Sequence, residues 1–359
     1  MFMKTGKRII ALLMATVVIV LCISGCSQSK ATGTDASKQT EAAEQNVRIV
    51  TDMAGRTVTL PKNIKKIGTF GAIGVLNAFV ETMGAGDKIC NEGSPSFVKS
   101  ESWAKYQYLF TPQLKECPAF QGADSEVLME TVLKTKPDIC LTMAAELTKQ
   151  LEEQGLNVIQ LSWTKTEEVK ECITLLGEVL DAQDVAADYI AYFDKTLVKA
   201  EELTRNIKKE DRKKVLYGSI TTFSQPHVIA EWWISKAGGI SVTDDGRTSE
   251  RRVYTLEDML LWNPDIIMVS SKAEKKAALE DARFANITAV KDKKIYIVPR
   301  IAHVWGNRTT EQPLTIMWAM NKIYPEIMTD KDLAEEVSYF YSHFFKCNFT
   351  DAQIKEIIE

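Results

Sequence analysis

The stretch METVLKTKPDICLTM (129–143) and its counterpart LEDMLLWNPDIIMVS (256–270) decide how this chain folds. In the first, Glu130 stands seven residues before Pro137-Asp138; in the second, Glu257 stands seven residues before Pro264-Asp265. Each carries a helical turn pattern, a Pro that stops it, and then an apolar run. That is helix, turn and buried strand, written once in each half. The duplication predicts two similar α/β lobes. It also puts one carboxylate on an equivalent helix of each lobe, as a partner gripping both lobes would require.

Between the two copies, residues 166–208 hold no Pro and one Gly, Gly177. Apolar residues recur at Val169, Cys172, Ile173, Leu176, Val179 and Leu180, then at Val185, Tyr189, Phe193, Leu197, Ala200 and Leu203. This spacing predicts two helices with a break near 181–184. The second, over 184–207, spans about 36 Å at 1.5 Å per residue. It is long enough to join two lobes as a rigid strut, and a strut predicts modest lobe motion.

The flanks read as strand and helix in alternation. Residues 47–60 (VRIVTDMAGRTVTL) suit a hairpin turning at 52–56, followed by a strand at 66–70 and a helix at 73–83. Gly68, Gly71 and Gly74 at that junction fit close helix–strand packing better than a phosphate cradle. A strand is expected to start at 88–90 and another at 158–161, with 91–120 irregular and aromatic. In the second half, strands are expected at 215–218 and 295–299, and helices at 231–237, 311–323 and 332–345. The predicted class is α/β, two Rossmann-like lobes joined by a single long backbone helix. The boundaries are an N-terminal lobe over 47–165, a helical connection over 166–210 and a C-terminal lobe over 211–359.

The N-terminus reads as a leader. Lys4, Lys7 and Arg8 precede an apolar run over 9–23, and Ser24-Gly25-Cys26 close it. A run of fifteen residues falls short of the roughly 20 needed to span a bilayer, so it reads as a secretory h-region, with the leader over 1–25. The small residues before Cys26 resemble the bacterial lipobox, which implies lipidation of Cys26. Residues 26–46 then read as a polar tether to the membrane. The formal charge is −4 and becomes more negative once the leader is removed, which argues against nucleic acid as a partner. Cys90, Cys117, Cys140, Cys172 and Cys347 include no CxxC pair. They read as small buried hydrophobes, with one Cys90–Cys117 bridge left open.

Lipobox, tether, a hairpin carrying Asp52-x-x-Gly55-Arg56-x-Val58-x-Leu60-Pro61, a lobe, a long helix and a second lobe follow in order. This order resembles the helical-backbone (class III) solute-binding lipoproteins of ABC importers, the group that delivers ferric siderophores, haem and cobalamin. The match covers roughly residues 47–345. The resemblance implies an extracytoplasmic, membrane-anchored monomer that captures a ligand and hands it to a permease and its ATPase. It places the permease-docking role on Glu130 and Glu257. It implies no intrinsic cofactor.

Ligands of open α/β sheets bind beyond the carboxyl ends of strands. In the first lobe that points to Phe70, Asn91, Glu92, Asp124 and Met143, with Trp103, Tyr106 and Tyr108 from the aromatic loop. In the second it points to Phe223, Arg251, Arg252, Tyr254, Ser270, Arg300, His303, Trp305 and Arg308. Arg forks among Trp and Tyr suit an anionic, bulky metal chelate, most simply a ferric siderophore. Haem, a corrinoid and an oxyanion such as molybdate are the alternatives. With His227, His303 and His343 as the only histidines, the chain supplies no His cluster for a bare metal ion. Iron ligation by His303, Met143 or Tyr254 stays open. No G-x-S-x-G, H-E-x-x-H or G-x-x-x-x-G-K-[ST] motif is present, and an enzyme is the remote reading.

Overall fold

Asp52 shows how the first lobe is started. Its buried carboxylate accepts from the backbone N–H groups of Ala54, Arg56 and Gln160 at 2.9–3.0 Å and pairs with the Arg56 guanidinium. One side chain thus closes the hairpin between β1 (Val47–Thr51) and β2 (Thr57–Pro61) and ties it to the neighbouring sheet. The computed structural model describes residues 47–359; the leader, Cys26 and the tether lie outside the described residues.

The first lobe continues through β3 (Ile67–Thr69), α1 (Ile73–Thr82), α2 (Pro95–Val98), α3 (Glu101–Phe110) and α4 (Met129–Thr135). It ends with β4 (Ile139–Thr142), α5 (Ala145–Glu152) and β5 (Val158–Gln160). Its sheet is parallel in the order β3-β4-β5. Helices α6 (Thr166–Leu180) and α7 (Gln183–Thr204) form the connection, with Asp181 in the left-handed region at the break.

The second lobe runs through β6 (Lys214–Tyr217), β7 (Ser224–Gln225), α8 (Ile229–Lys236), β8 (Ile240–Ser241), β9 (Arg252–Val253) and α9 (Leu256–Trp262). Then come β10 (Ile266–Val269), α10 (Lys272–Glu280), α11 (Thr288–Lys291) and β11 (Ile295–Ile297), and finally α12 (Gln312–Ile323), α13 (Asp330–His343) and α14 (Asp351–Ile358). Its sheet is parallel in the order β11-β10-β6-β8. All residues of β4 and of β10 are buried, as expected of parallel strands covered on both faces.

The repeated sequence is a repeated structure down to its hydrogen bonds. The backbone N–H of Lys66 donates to Asp138 Oδ2, and that of Lys214 to Asp265 Oδ2, both at 2.8 Å. Lys66 Nζ caps the carbonyl of Thr135 at 2.9 Å, and Lys214 Nζ caps that of Trp262 at 3.0 Å. Lys136 and Asn263 both take positive φ where the helices end. Each Lys side chain therefore satisfies a helix C-terminal carbonyl that would otherwise lack a partner.

Helix α7 is 22 residues long, about 33 Å. Ala186, Tyr189, Phe193, Thr196, Ala200 and Thr204 form its buried stripe, and Tyr189 donates its hydroxyl to the carbonyl of Thr310 at 2.8 Å. One hydrophobic core runs from Val50 and Phe79 through Phe193 to Trp233, Trp318 and Phe340, crossing from lobe to lobe. Two smaller clusters, around Phe120 and Val132 and around Leu216 and Met259, fill the outer faces of the two sheets.

Some expectations need correction. Residues 95–98 and 101–110 are helical, because Trp103 and Tyr106 at i and i+3 bury one face. At 88–90 there is only a single bridge, Ile67 to Ile89, after a short 3₁₀ turn. Helices α5, α10, α11 and α14 are additions to the sequence reading. The five described cysteines are free thiols, and Cys140 and Cys172 are buried.

Candidate functional site

A pocket of about 200 Å³ opens where the first lobe's β3–α1 turn meets the loop after β11. Gly71 turns the chain at φ +72°, and its N–H donates to Gln121 Oε1 at 2.7 Å. Asn91 Oδ1 accepts from the N–H of Thr69 at 2.9 Å and fixes the strand end beneath it. Helix α1 then starts at the pocket with no side chain capping its N-terminus. Ile73 and Gly74 of its first turn line the cavity, and the positive end of a helix dipole lies at its N-terminus. Gly74 is needed there because the Phe97 ring lies where a Cβ would stand. Phe97 in turn meets Trp103 of α3 edge-on.

The opposite wall is the segment after β11. Gln107 Nε2 on α3 holds that segment by donating to the carbonyls of Ile301 (3.3 Å) and Ala302 (2.9 Å). Glu311 holds it from behind. This buried carboxylate accepts from the N–H groups of Ala302 (3.0 Å) and His303 (2.7 Å), from Trp305 Nε1 (3.0 Å) and from the Tyr341 hydroxyl. Burial pushes the Glu311 carboxyl up to about 7 against the pull of those donors. His303 is thereby presented to Phe97 and Trp103, with ring centroids 6.0 Å from each.

The lining offers one N–H donor, the Trp103 indole, and one imidazole nitrogen. Trp103 Nε1 and His303 Nδ1 are both buried without a hydrogen-bond partner. Trp103 is only 8% exposed. The Arg300 guanidinium sits 5.7 Å over the Trp103 ring. Burial first, and then the charges of His227 and Arg300, push the His303 imidazole down to about 4, so it is neutral at pH 7. An indole N–H, a helix N-terminus and a neutral imidazole around one small cavity, with Arg300 over the Trp103 ring beside it, form an anion-receptive site. Among the described residues no three His, Cys, Asp or Glu side chains converge to hold a metal ion.

Of the residues the sequence proposes for the cleft, the structure brings together Trp103, Arg300 and His303. Several others are engaged elsewhere. Phe70 is fully buried and stacks on Phe120 under the first sheet. Tyr106 is buried against Phe349, and half-buried Tyr108 lies beneath Lys115. Tyr254 is buried and donates its hydroxyl to the carbonyl of Ser219, with Phe223 packed edge-on against it. Trp305 is fully buried beside Glu311. Arg252 pairs with Asp245 and lies over Trp262. Arg308 pairs with Glu250 at 2.8 Å. Arg251 is exposed on the surface and does not line the pocket. Met143 packs against the core, and Asn91 is a buried anchor. Phe97, Gln107 and Glu311 are the residues the sequence reading misses. Phe97 and Gln107 lie in the stretch expected to be irregular, and in sequence Glu311 marks only a helix start.

Residues 101–302 match the family described as periplasmic binding protein. The chain belongs to that family. Its members are the extracytoplasmic substrate-binding components of ABC importers, and the two lobes with a helical backbone are those of the class III type. The molybdate-binding protein MolA of Haemophilus influenzae is 26% identical over 330 residues, covering 84% of this chain and 92% of that protein. A periplasmic solute-binding protein from Veillonella parvula has a solved structure with a TM-score of 0.76 and 26% identity, covering 87% of this chain and 97% of that one. The molybdate-bound structure of MolA superposes with a TM-score of 0.70 at 22% identity, covering 84% and 99% of the two chains. At the family level these proteins bind solutes and are not enzymes.

Proposed function

We propose that this periplasmic binding protein captures a small tetrahedral oxyanion of the molybdate class for an ABC importer. The observation that carries this is the pocket itself: about 200 Å³, with buried, unpartnered Trp103 Nε1 and His303 Nδ1 beside the open N-terminus of α1. Ligand pockets for larger organic molecules run roughly 300–1,000 Å³, so a bulky siderophore or haem is the poorer fit. The curated relative described above is named for molybdate, which agrees with this choice.

A ferric chelate is the second reading. It is favoured by exposed Arg300 over the Trp103 ring, a cation–aromatic pair suited to a planar anionic ligand. Under either reading the protein itself carries no cofactor, acts as a monomer, and is tethered to the membrane through lipidated Cys26. Glu130 and Glu257 are the permease-docking acids. Both are exposed in the first turn of matched helices, and neither enters an ion pair among the described residues.

Thermal shift separates the ligands. A ligand at a hundredfold excess over Kd adds about 2.7 kcal/mol. Molybdate and tungstate are expected to raise Tm, and ferric siderophores and haem to leave it unchanged. The reverse pattern would overturn the oxyanion reading.

A further inference from the structure

The two acid-bearing helices share a second feature. On α4, Leu133 follows Glu130 by three residues; on α9, Leu260 follows Glu257 by three. Three residues along a helix is one face. Leu133 is 40% exposed and Leu260 41%, while Val132 and Met259, one position earlier, are fully buried. A single exposed Leu carries little meaning. The same exposed Leu at the same offset from the same exposed acid, in two copies of one unit, is a matched pair of surfaces. The second lobe's helix adds Leu261 at 81% exposure, so its patch is the larger.

We infer that Leu133, Leu260 and Leu261 are apolar knobs that seat in the extracytoplasmic face of the permease beside the docking acids. The inference rests on the reading of Glu130 and Glu257 as permease contacts. The occupant is a protein surface with two alike recesses, each an apolar hollow rimmed by Arg or Lys. Charge complementarity selects it: a second copy of this chain would bring Glu against Glu across the same patches, whereas a basic rim satisfies the acid and lets the Leu lose its water. The acids steer and orient, and the leucines slow release. The larger patch on α9 makes the second lobe the stronger anchor and breaks the pseudo-symmetry of the encounter.

The test uses the full-length protein and its permease–ATPase complex in nanodiscs, with binding read by surface plasmon resonance at several salt concentrations. Leu260→Ser with Leu261→Ser is expected to weaken binding at least tenfold, mainly through faster dissociation, with the salt dependence retained. Leu133→Ser is expected to weaken it less. Glu130→Gln with Glu257→Gln is expected to lower the association rate and flatten the salt dependence. All variants should melt like the parent and keep parental affinity for molybdate or ferric siderophore, whichever the parent binds. Leucine variants that bind the permease like the parent, while the Gln pair does not, would overturn the apolar knobs alone. A Gln pair that also binds like the parent would remove the docking reading beneath them. Loss of a dimer in sedimentation with unchanged permease binding would assign the patch to self-association and overturn the proposal.

Discussion

The backbone N–H of His303 donates to the buried carboxylate of Glu311 at 2.7 Å. The contact ties the pocket wall to the N-terminus of α12 and to Tyr341 of α13, which is fully buried. Glu311→Gln puts an amide N–H₂ among four donors and leaves at least one of them unpaired. The expected loss is about 2–4 kcal/mol of stability, together with weaker ligand binding because His303 is no longer held. Urea unfolding and ligand titration of the variant check both. Unchanged stability would show that the carboxylate is dispensable.

The same pair sets a pH signature. The His303 imidazole titrates near 4 in the folded chain and near its ordinary value of about 6.5 when unfolded. Between those values only the unfolded chain holds the proton, so this group makes stability fall as pH drops from 6.5 to 4. Glu311 runs the other way. It is held up at about 7 when folded, against about 4.5 unfolded, so stability is lost as pH rises through that range. Each slope is about 1.4 kcal/mol per pH unit, and they oppose one another over pH 4.5–6.5. His303→Gln should uncover a loss of stability toward neutral pH, and Glu311→Gln a loss toward acid. Urea melts at pH 5 and pH 6.5 read the sign. Parallel pH profiles for the two variants would contradict the assignment.

The two matched helix ends predict different responses to glycine. Lys136 takes φ +55° and Asn263 φ +44°. Lys136→Gly relieves a left-handed residue and should stabilise by roughly 0.5–1 kcal/mol. Asn263 also accepts from the N–H (2.9 Å) and hydroxyl (3.1 Å) of Thr288, and Asn263→Gly removes both bonds. That change should be neutral or destabilising. Equal gains from the two substitutions would show that the Thr288 contacts carry no energy.

Much of this architecture is legible in the sequence, because it rests on local signals. The Pro-Asp stop, the buried runs of β4 and β10 and the 3–4 spacing along α7 each follow from backbone and burial rules that act over a few residues. The site is less legible. Trp103 and His303 lie 200 residues apart and face one another only because Gln107 ties α3 to the loop after β11. Nothing in the spacing of Arg252 or Arg308 reveals that Asp245 and Glu250 neutralise them. Aromatic residues read as a ligand platform, such as Tyr106 and Trp305, are core residues whose polar atoms or rings have partners inside the fold. Apolar periodicity locates the core, whereas the outcome for a polar or aromatic side chain depends on which distant element supplies its partner.

Trp103 and His303 are proposed to hold a small oxyanion between the lobes. Calorimetric titration with molybdate of the parent and of Trp103→Phe tests it most directly, since the substitution keeps the ring and deletes the indole N–H. One site per chain is expected in the parent and an affinity at least tenfold weaker in the variant, in line with loss of one hydrogen bond to a charged group. A parent that ignores molybdate, or a variant that binds it equally well, would contradict the claim.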